Sequence, residues 1–156
     1  MNTREYLNQI NDVESSIRKL TLKIAHFDSM VNDMKLGYDS DRVQTSKVDM
    51  DPAYAQYLGM KLDAERELQE LVKNYSYVYN QVELTINQVG GVESDVLYMK
   101  HISGMFITQI AEKLNYSYDG IRKIYERGVE KVEEILIKTG EIVPTSHNES
   151  QVLPPL

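Results

Sequence analysis

The sequence predicts an all-α protein: a long antiparallel helical hairpin, coiled-coil-like in its packing, followed by a helix-turn-helix. Three observations lead to this prediction. Apolar residues recur every seven positions through most of residues 1–90, which is typical of long helices that pack side by side. Two adjacent glycines, Gly90 and Gly91, then interrupt the pattern. Beyond them lie two stretches with the period of an amphipathic helix, separated by only a few polar residues.

The first helix is predicted from about Thr3 to Leu36, a span without Pro or Gly. Its apolar residues occupy the two heptad positions that face a partner helix, so the span predicts a coiled coil or a helical hairpin. The next segment, Gly37–Asp51, has no apolar periodicity and predicts a long loop that we expect to be mobile. The two heptad positions are Ile10, Ile17, Ile24 and Val31, and Tyr6, Val13, Leu20, Phe27 and Met34.

A second helix is predicted from about Pro52 to Gln88, with Asp51 as its N-cap and Pro52 at its first position. The two long helices have nearly matched lengths, which favours an antiparallel hairpin over strands of an intermolecular coil. The apolar face of the second helix is wide, so residues 1–88 are also the expected site of any homo-oligomer. This face comprises Tyr54, Leu68, Tyr75, Val82 and Val89, then Tyr57, Ala64, Leu71 and Val78, and at its margin Leu58, Val72, Tyr79 and Ile86.

Three closely spaced tyrosines, Tyr75, Tyr77 and Tyr79, have two interpretations. Aromatic side chains in a row can stack on nucleic-acid bases. However, Tyr75 and Tyr79 fall on the apolar face, so we expect them in the core. Tyr77 faces the other way and is free to contact a partner.

The double glycine predicts the boundary between a hairpin domain, residues 1–90, and a second domain, residues 91–139. Ser94 is the expected cap of a helix that packs behind the helix-turn-helix. Residues 140–156 are rich in Pro and polar residues and predict a flexible tail, within which 152–156 is apolar. Disorder is favoured there over a docking peptide. The helix after Ser94 would pack through Val96, Leu97, Met99 and Ile102.

The helix-turn-helix is predicted between residues 107 and 137. One helix face is formed by Ile107, Ile110, Ala111 and Leu114, which follow helical spacing. Asn115 tolerates the left-handed conformation that ends a helix, and Ser117 is a good N-cap for the next one. A second helix that presents its N-terminal residues outward fits the major groove of DNA. Its buried face is predicted to be Ile121, Ile124, Tyr125, Gly128, Val132 and Ile135.

The outer face of this second helix carries a basic row, Lys123, Arg127 and Lys131. Like charges four residues apart cost a little stability unless a polyanion lies nearby. An ordinary solvated helix face remains the alternative. Arg122 can bridge the two acceptors of a guanine, and the residues before it can contact a thymine methyl or a cytosine amine. The candidate DNA-binding residues are Ser117, Tyr118, Asp119, Arg122, Lys123, Arg127 and Lys131.

Composition limits the alternatives. The net charge is −7, but residues 94–139 hold 7 basic and 7 acidic side chains, so the candidate DNA-binding region is neutral. Non-specific affinity for DNA should therefore be modest. The chain has no Cys, and its three His residues lack ligand spacing, so we expect no metal site and no cofactor. No apolar run is long enough to span a membrane, and no catalytic motif is present, so we expect a cytoplasmic protein that is not an enzyme.

Three runs carry a resemblance to a known family: Val96–Met105, Ile110–Ser117 and Ile121–Val132. Together they resemble the C-terminal region of sigma-70-type factors, which reads the −35 promoter element. With the helical region before it, the whole chain resembles phage late-transcription regulators of the RinA/ArpU type. The resemblance implies a sequence-specific DNA-binding transcription regulator, a phage or prophage activator of late genes in the bacterial cytoplasm. Promoter or operator DNA and RNA polymerase are its implied partners.

Two other functions remain open. A small terminase subunit also joins a helix-turn-helix to an oligomerising helical region, but it binds DNA for packaging. Alternatively, the same fold could serve as an interaction module that contacts RNA polymerase without DNA. Oligomer size would separate the first of these from a regulator, because terminase small subunits form large rings.

Overall fold

A computed structural model describes residues 1–40 and 52–143, with the side chains of 35–40 excepted. This part of the chain is helical without any strand, which confirms the all-α prediction. The expectations for a mobile loop over 41–51, for Asp51 as a cap and for an apolar terminus at 152–156 lie outside the described residues. The helices are α1 (Thr3–Ser40), α2 (Pro52–Val89), α3 (Gly91–His101), α4 (Ile107–Leu114) and α5 (Tyr118–Thr139).

The chain divides into two compact units. Ile10–Val78 form one, which we call the hairpin unit. Met1–Gln9 and the described residues from Tyr79 onward form the other, which we call the terminal unit. The sequence places a boundary at Gly90–Gly91, whereas the structure groups the outer ends of both long helices with α3, α4 and α5. The division therefore falls within α1 and α2, where no break in the heptads marks it.

In the hairpin unit α1 and α2 run antiparallel. Early residues of α1 contact late residues of α2: the hydroxyl of Tyr75 donates to a carboxylate oxygen of Glu14 at 3.0 Å. Later in α1, the Asp28 carboxylate accepts from Lys61 Nζ at 2.7 Å. The heptad residues Leu20, Phe27, Val31, Ala64 and Val78 are buried here. These positions form the interior of the unit, as the seven-residue repeat indicates.

Lys61 occupies a position on the apolar face of α2 between Tyr54 and Leu68. Its side chain is only 23% exposed, and its ammonium is paired with Asp28. The hydrogen bond that Lys61 donates to Asp28 raises the pKa of Lys61 above its usual value. A polar residue at this position is therefore accommodated by a specific partner rather than by solvent.

One expectation for the long helices was wrong. α1 continues to Ser40, beyond Leu36 and through Gly37, because one glycine costs a helix about 1 kcal/mol and does not by itself end it. Val72 is 49% exposed, since it lies at the margin of the wide apolar face of α2. Tyr77 is 65% exposed, as its outward position predicts.

In the terminal unit α1 begins with a reciprocal cap. The side chain of Asn2 accepts from the backbone N–H of Glu5 at 2.8 Å, and the Glu5 carboxylate accepts from the N–H of Asn2 at 2.9 Å. Such a pair satisfies backbone donors at a helix start. One turn later the hydroxyls of Tyr6 and Thr85 are hydrogen-bonded at 2.9 Å in a buried position. The first turns of α1 are thus fixed to the end of α2.

The sequence predicted Ser94 as the N-cap of α3, and this prediction is wrong. Gly90 and Gly91 both have positive φ, 70° and 67°, so the chain reverses there and α3 begins at Gly91. Ser94 then lies inside the helix, and its hydroxyl donates to the carbonyl of Ile86 at 2.9 Å. That carbonyl belongs to the last turn of α2, where it lacks a partner within the helix.

The core of the C-terminal helices is a cluster of Val96, Ile110, Ala111, Ile121 and Ile124, which joins α3, α4 and α5. Ala111 therefore lies in the core, as predicted. Packed against the cluster are Val92, Met99, Met105, Ile107, Leu114 and Tyr125.

The chain stays packed beyond the end of α5. Gly140 ends the helix with φ 78°, and the N–H of Glu141 donates to the carbonyl of Leu136 at 2.9 Å. Ile142 is then buried, which corrects the expectation that the flexible tail begins at residue 140.

Candidate nucleic-acid interface

α4 and α5 are joined by the turn Asn115–Ser117. Asn115 has the left-handed conformation, φ 58° and ψ 41°, and the next N–H, that of Tyr116, donates to the carbonyl of Ala111 at 2.9 Å. The Ser117 hydroxyl accepts from the N–H of Gly120 at 3.0 Å. Both local predictions are confirmed: Asn115 ends one helix and Ser117 caps the next.

The first turns of α5 are exposed. Tyr118 is 51% exposed, and Asp119, Arg122 and Lys123 are also exposed. No described residue forms an ion pair or hydrogen bond with the side chain of Arg122 or Lys123. Both cations are therefore available to an external partner. An open groove runs along this surface, lined by Tyr116, Gly120, Arg122, Lys123, Ile124, Glu126 and Arg127.

The basic row has a counter-ion within the protein. Glu93, on the first turn of α3, places a carboxylate oxygen 3.4 Å from Lys131 Nζ and 3.9 Å from Arg127 Nε. A hydrogen bond from its own backbone lowers the pKa of Glu93, and Lys131 and Arg127 lower it further. The like-charge spacing therefore has an internal explanation, and the row alone does not argue for a polyanion. Lys123 is the member of the row outside this contact.

Glu126 also has a partner that the sequence did not suggest. The guanidinium of Arg4 donates to both of its carboxylate oxygens, at 2.8 and 2.9 Å. Arg4 lies on the first turn of α1, so this pair brings the start of the chain to α5. The sequence did not predict the contact of Arg4 with Glu126, since no local pattern links residues so far apart. Tyr116, 48% exposed in the turn, was also missed, although an aromatic between two helix caps is a signal of surface exposure.

A buried histidine lies behind this surface. His101 stacks on Tyr125 with ring centroids 5.7 Å apart, and its Nε2 is 3.0 Å from the tyrosine hydroxyl. Burial, and to a lesser extent Lys100, lowers the pKa of His101 to about 4. The ring is therefore neutral at pH 7 and packs α3 against α5. Its Nδ1 has no hydrogen-bond partner among the described atoms.

Within residues 1–40 and 52–143, no group of three His, Asp or Glu side chains could hold a metal ion. No helix in the same ranges has the length and apolar character needed to cross a membrane. No protein-family model, curated protein or solved structure matches this chain.

Proposed function

We propose that this protein is a sequence-specific DNA-binding transcription regulator. The observation that carries the proposal is the pair Arg122 and Lys123, exposed and without a partner in the described structure, on the first turns of a helix that follows a tight turn. In helix-turn-helix proteins the N-terminal residues of the second helix contact base edges in the major groove. α5 presents these two cations at the corresponding place.

We assign distinct roles to the residues along α5. Arg122 would donate to two acceptors of a guanine, and Tyr118 and Asp119 would contact the neighbouring base edges. Lys123 and Arg127 lie further round and further along the helix, where side chains reach phosphates. Ser117 holds the turn through its cap, and its hydroxyl proton remains free for a phosphate oxygen. Lys131, held by Glu93, would contribute least.

The biological role follows from the sequence resemblance: a phage or prophage activator of late genes in the bacterial cytoplasm, with RNA polymerase as a second partner. The neutral charge of residues 94–139 is consistent with a protein that depends on base contacts more than on phosphate attraction. Two results would redirect the proposal. A large ring in solution would favour a terminase small subunit, and polymerase binding without DNA binding would favour an interaction module.

Three single variants on α5 test the assignment. Arg122→Ala should cost about 1–3 kcal/mol on the cognate duplex and much less on random DNA, so specificity is lost. Arg127→Ala should weaken both duplexes to a similar degree and lower the salt slope by roughly one unit. Lys138→Ala removes the same charge from the last turn of α5 and should bind as the wild type does.

The measurement is a gel-shift titration at several salt concentrations. The cognate duplex is first enriched from a random library by the wild-type chain, and a scrambled duplex serves for comparison. If Arg122→Ala and Arg127→Ala both bind as the wild type does, this face does not contact DNA and the proposal is wrong.

A further inference from the structure

Glu126 is an obstacle to DNA binding at the proposed surface. It lies one helical turn after Arg122 and lines the same groove as Arg122 and Lys123. A carboxylate in that position repels phosphates and cancels part of the attraction of the two cations. A regulator that reads DNA with these turns of α5 needs to neutralise it.

Arg4 provides that neutralisation. One nitrogen of its guanidinium, Nη2, donates to both carboxylate oxygens of Glu126. The Arg4 side chain is 59% exposed and that of Glu126 is 48% exposed, so the pair lies at the surface beside the groove. An exposed pair adds little to folding stability. Its consequence is electrostatic, because Arg4 neutralises the Glu126 carboxylate. The groove therefore presents the unpaired cations Arg122 and Lys123 beside a neutral pair instead of an unpaired Glu126 carboxylate.

Neighbouring residues on the first turns of α1 fix the backbone that carries Arg4. The reciprocal cap between Asn2 and Glu5 fixes the helical turn that carries Arg4. Thr3 and Leu7 on the same turns are buried. Arg4 is therefore presented by an ordered helix start inside the terminal unit.

We propose that the first turn of α1 is part of the DNA-binding surface, with Arg4 as a positioning residue that cancels the charge of Glu126 and orients its carboxylate. The proposal rests on the proposed function. It extends the surface from α5 to Arg4, on the first turn of α1. It also predicts that DNA affinity depends on the net charge of the pair.

Four proteins test the dependence: the wild type, Arg4→Ala, Glu126→Gln and the double variant. The pair has net charge zero in the wild type, −1 in Arg4→Ala, +1 in Glu126→Gln and zero again in the double variant. Affinity for a random-sequence duplex should increase with the net charge of the pair. Glu126→Gln should therefore bind most tightly and Arg4→Ala most weakly, with the wild type and the double variant alike between them. Adjacent steps should differ roughly three- to tenfold at about 0.1 M salt, with the difference shrinking as salt rises.

A matched control exists in the hairpin unit. Arg66 and Asp63 are an exposed pair with 3.7 Å between Arg66 Nη1 and Asp63 Oδ1. Arg66→Ala and Asp63→Asn make the same changes in net charge within the hairpin unit, which does not contain α5, and both should leave binding unchanged. If Arg66→Ala weakens binding as much as Arg4→Ala, total charge explains the effect and the inference is overturned.

The double variant separates charge from folding. If Arg4→Ala acts by unfolding the start of α1, the double variant should bind as weakly as Arg4→Ala, which contradicts the inference. Binding by Arg4→Ala equal to that of the wild type contradicts it too. In either case a specificity loss in Arg122→Ala would leave the proposed function standing. Absence of DNA binding by the wild type would overturn both.

Discussion

At Gly128 the backbone of α5 lies close to Leu97 of α3, and substitution there gives a sharp test of the packing. A Cβ at this position would lie 3.0 Å from Cδ1 and 3.1 Å from Cγ of Leu97. Leu97 is fully buried, so its side chain cannot move away into solvent. Gly128→Ala therefore requires Leu97 to shift by a few tenths of an ångström inside a filled core.

Two effects of opposite sign determine the magnitude. Replacing a helical glycine by alanine stabilises a helix by about 0.8–1 kcal/mol. Overpacking a well-filled core costs about 1–3 kcal/mol. Because Leu97 is enclosed, the second effect should exceed the first, and we expect a net loss of roughly 1–2 kcal/mol. Trimming the neighbour, in Gly128→Ala with Leu97→Val, should recover part of that loss.

Gly59 is the matched control, since it also lies within a helix but has no atom within 4 Å of its ideal Cβ. Gly59→Ala should raise the free energy of unfolding by up to about 1 kcal/mol. Urea denaturation followed by circular dichroism measures both variants, and hydrogen exchange assigns each change to α2 or α5. If Gly128→Ala is as stabilising as Gly59→Ala, the close approach of α3 to α5 is wrong.

Two further predictions concern the terminal unit. The pKa of His101 is lowered from about 6.5 to about 4, so the unfolded chain binds a proton there more readily than the folded protein does. The free energy of unfolding should therefore be highest above about pH 6.5 and fall by a few kcal/mol as the pH decreases towards 4. His101→Phe should remove that part of the acid dependence, and an unchanged slope in urea titrations across this range would contradict the assignment. Ala111→Leu should cost about 1–3 kcal/mol by overpacking the core and abolish DNA binding while the hairpin unit stays helical; wild-type binding by this variant would show that the site tolerates the added volume.

The features that the sequence predicted well depend on short-range interactions. The seven-residue repeat, the left-handed Asn115 and the Ser117 cap each involve groups within a few residues of one another, so the local pattern contains the information. Arg122 and Lys123 were identified as exposed for the same reason, from helical spacing alone.

The features that the sequence did not predict depend on packing between distant segments. Ser94 looks like a cap by residue type, yet two left-handed glycines move the helix start and give its hydroxyl another acceptor. Arg4 and Glu126 meet only because the first turns of α1 belong to the same unit as α5. Glu93, which lies on α3, likewise supplies a counter-ion for the basic row of α5. A helical-wheel projection of α5 contains none of these partners.

The division of the chain has a consequence for synthesis on the ribosome. All residues of the hairpin unit, Ile10–Val78, emerge before the rest of the terminal unit exists. Residues 1–9 are made first but belong to a unit whose other members begin at Tyr79, so Thr3, Tyr6 and Leu7 lack their native surroundings until late in translation. Distant contacts form slowly because a long loop must close first. The hairpin unit is therefore synthesised in full while the proposed DNA-binding surface is still incomplete, and a chain interrupted before α5 lacks that surface.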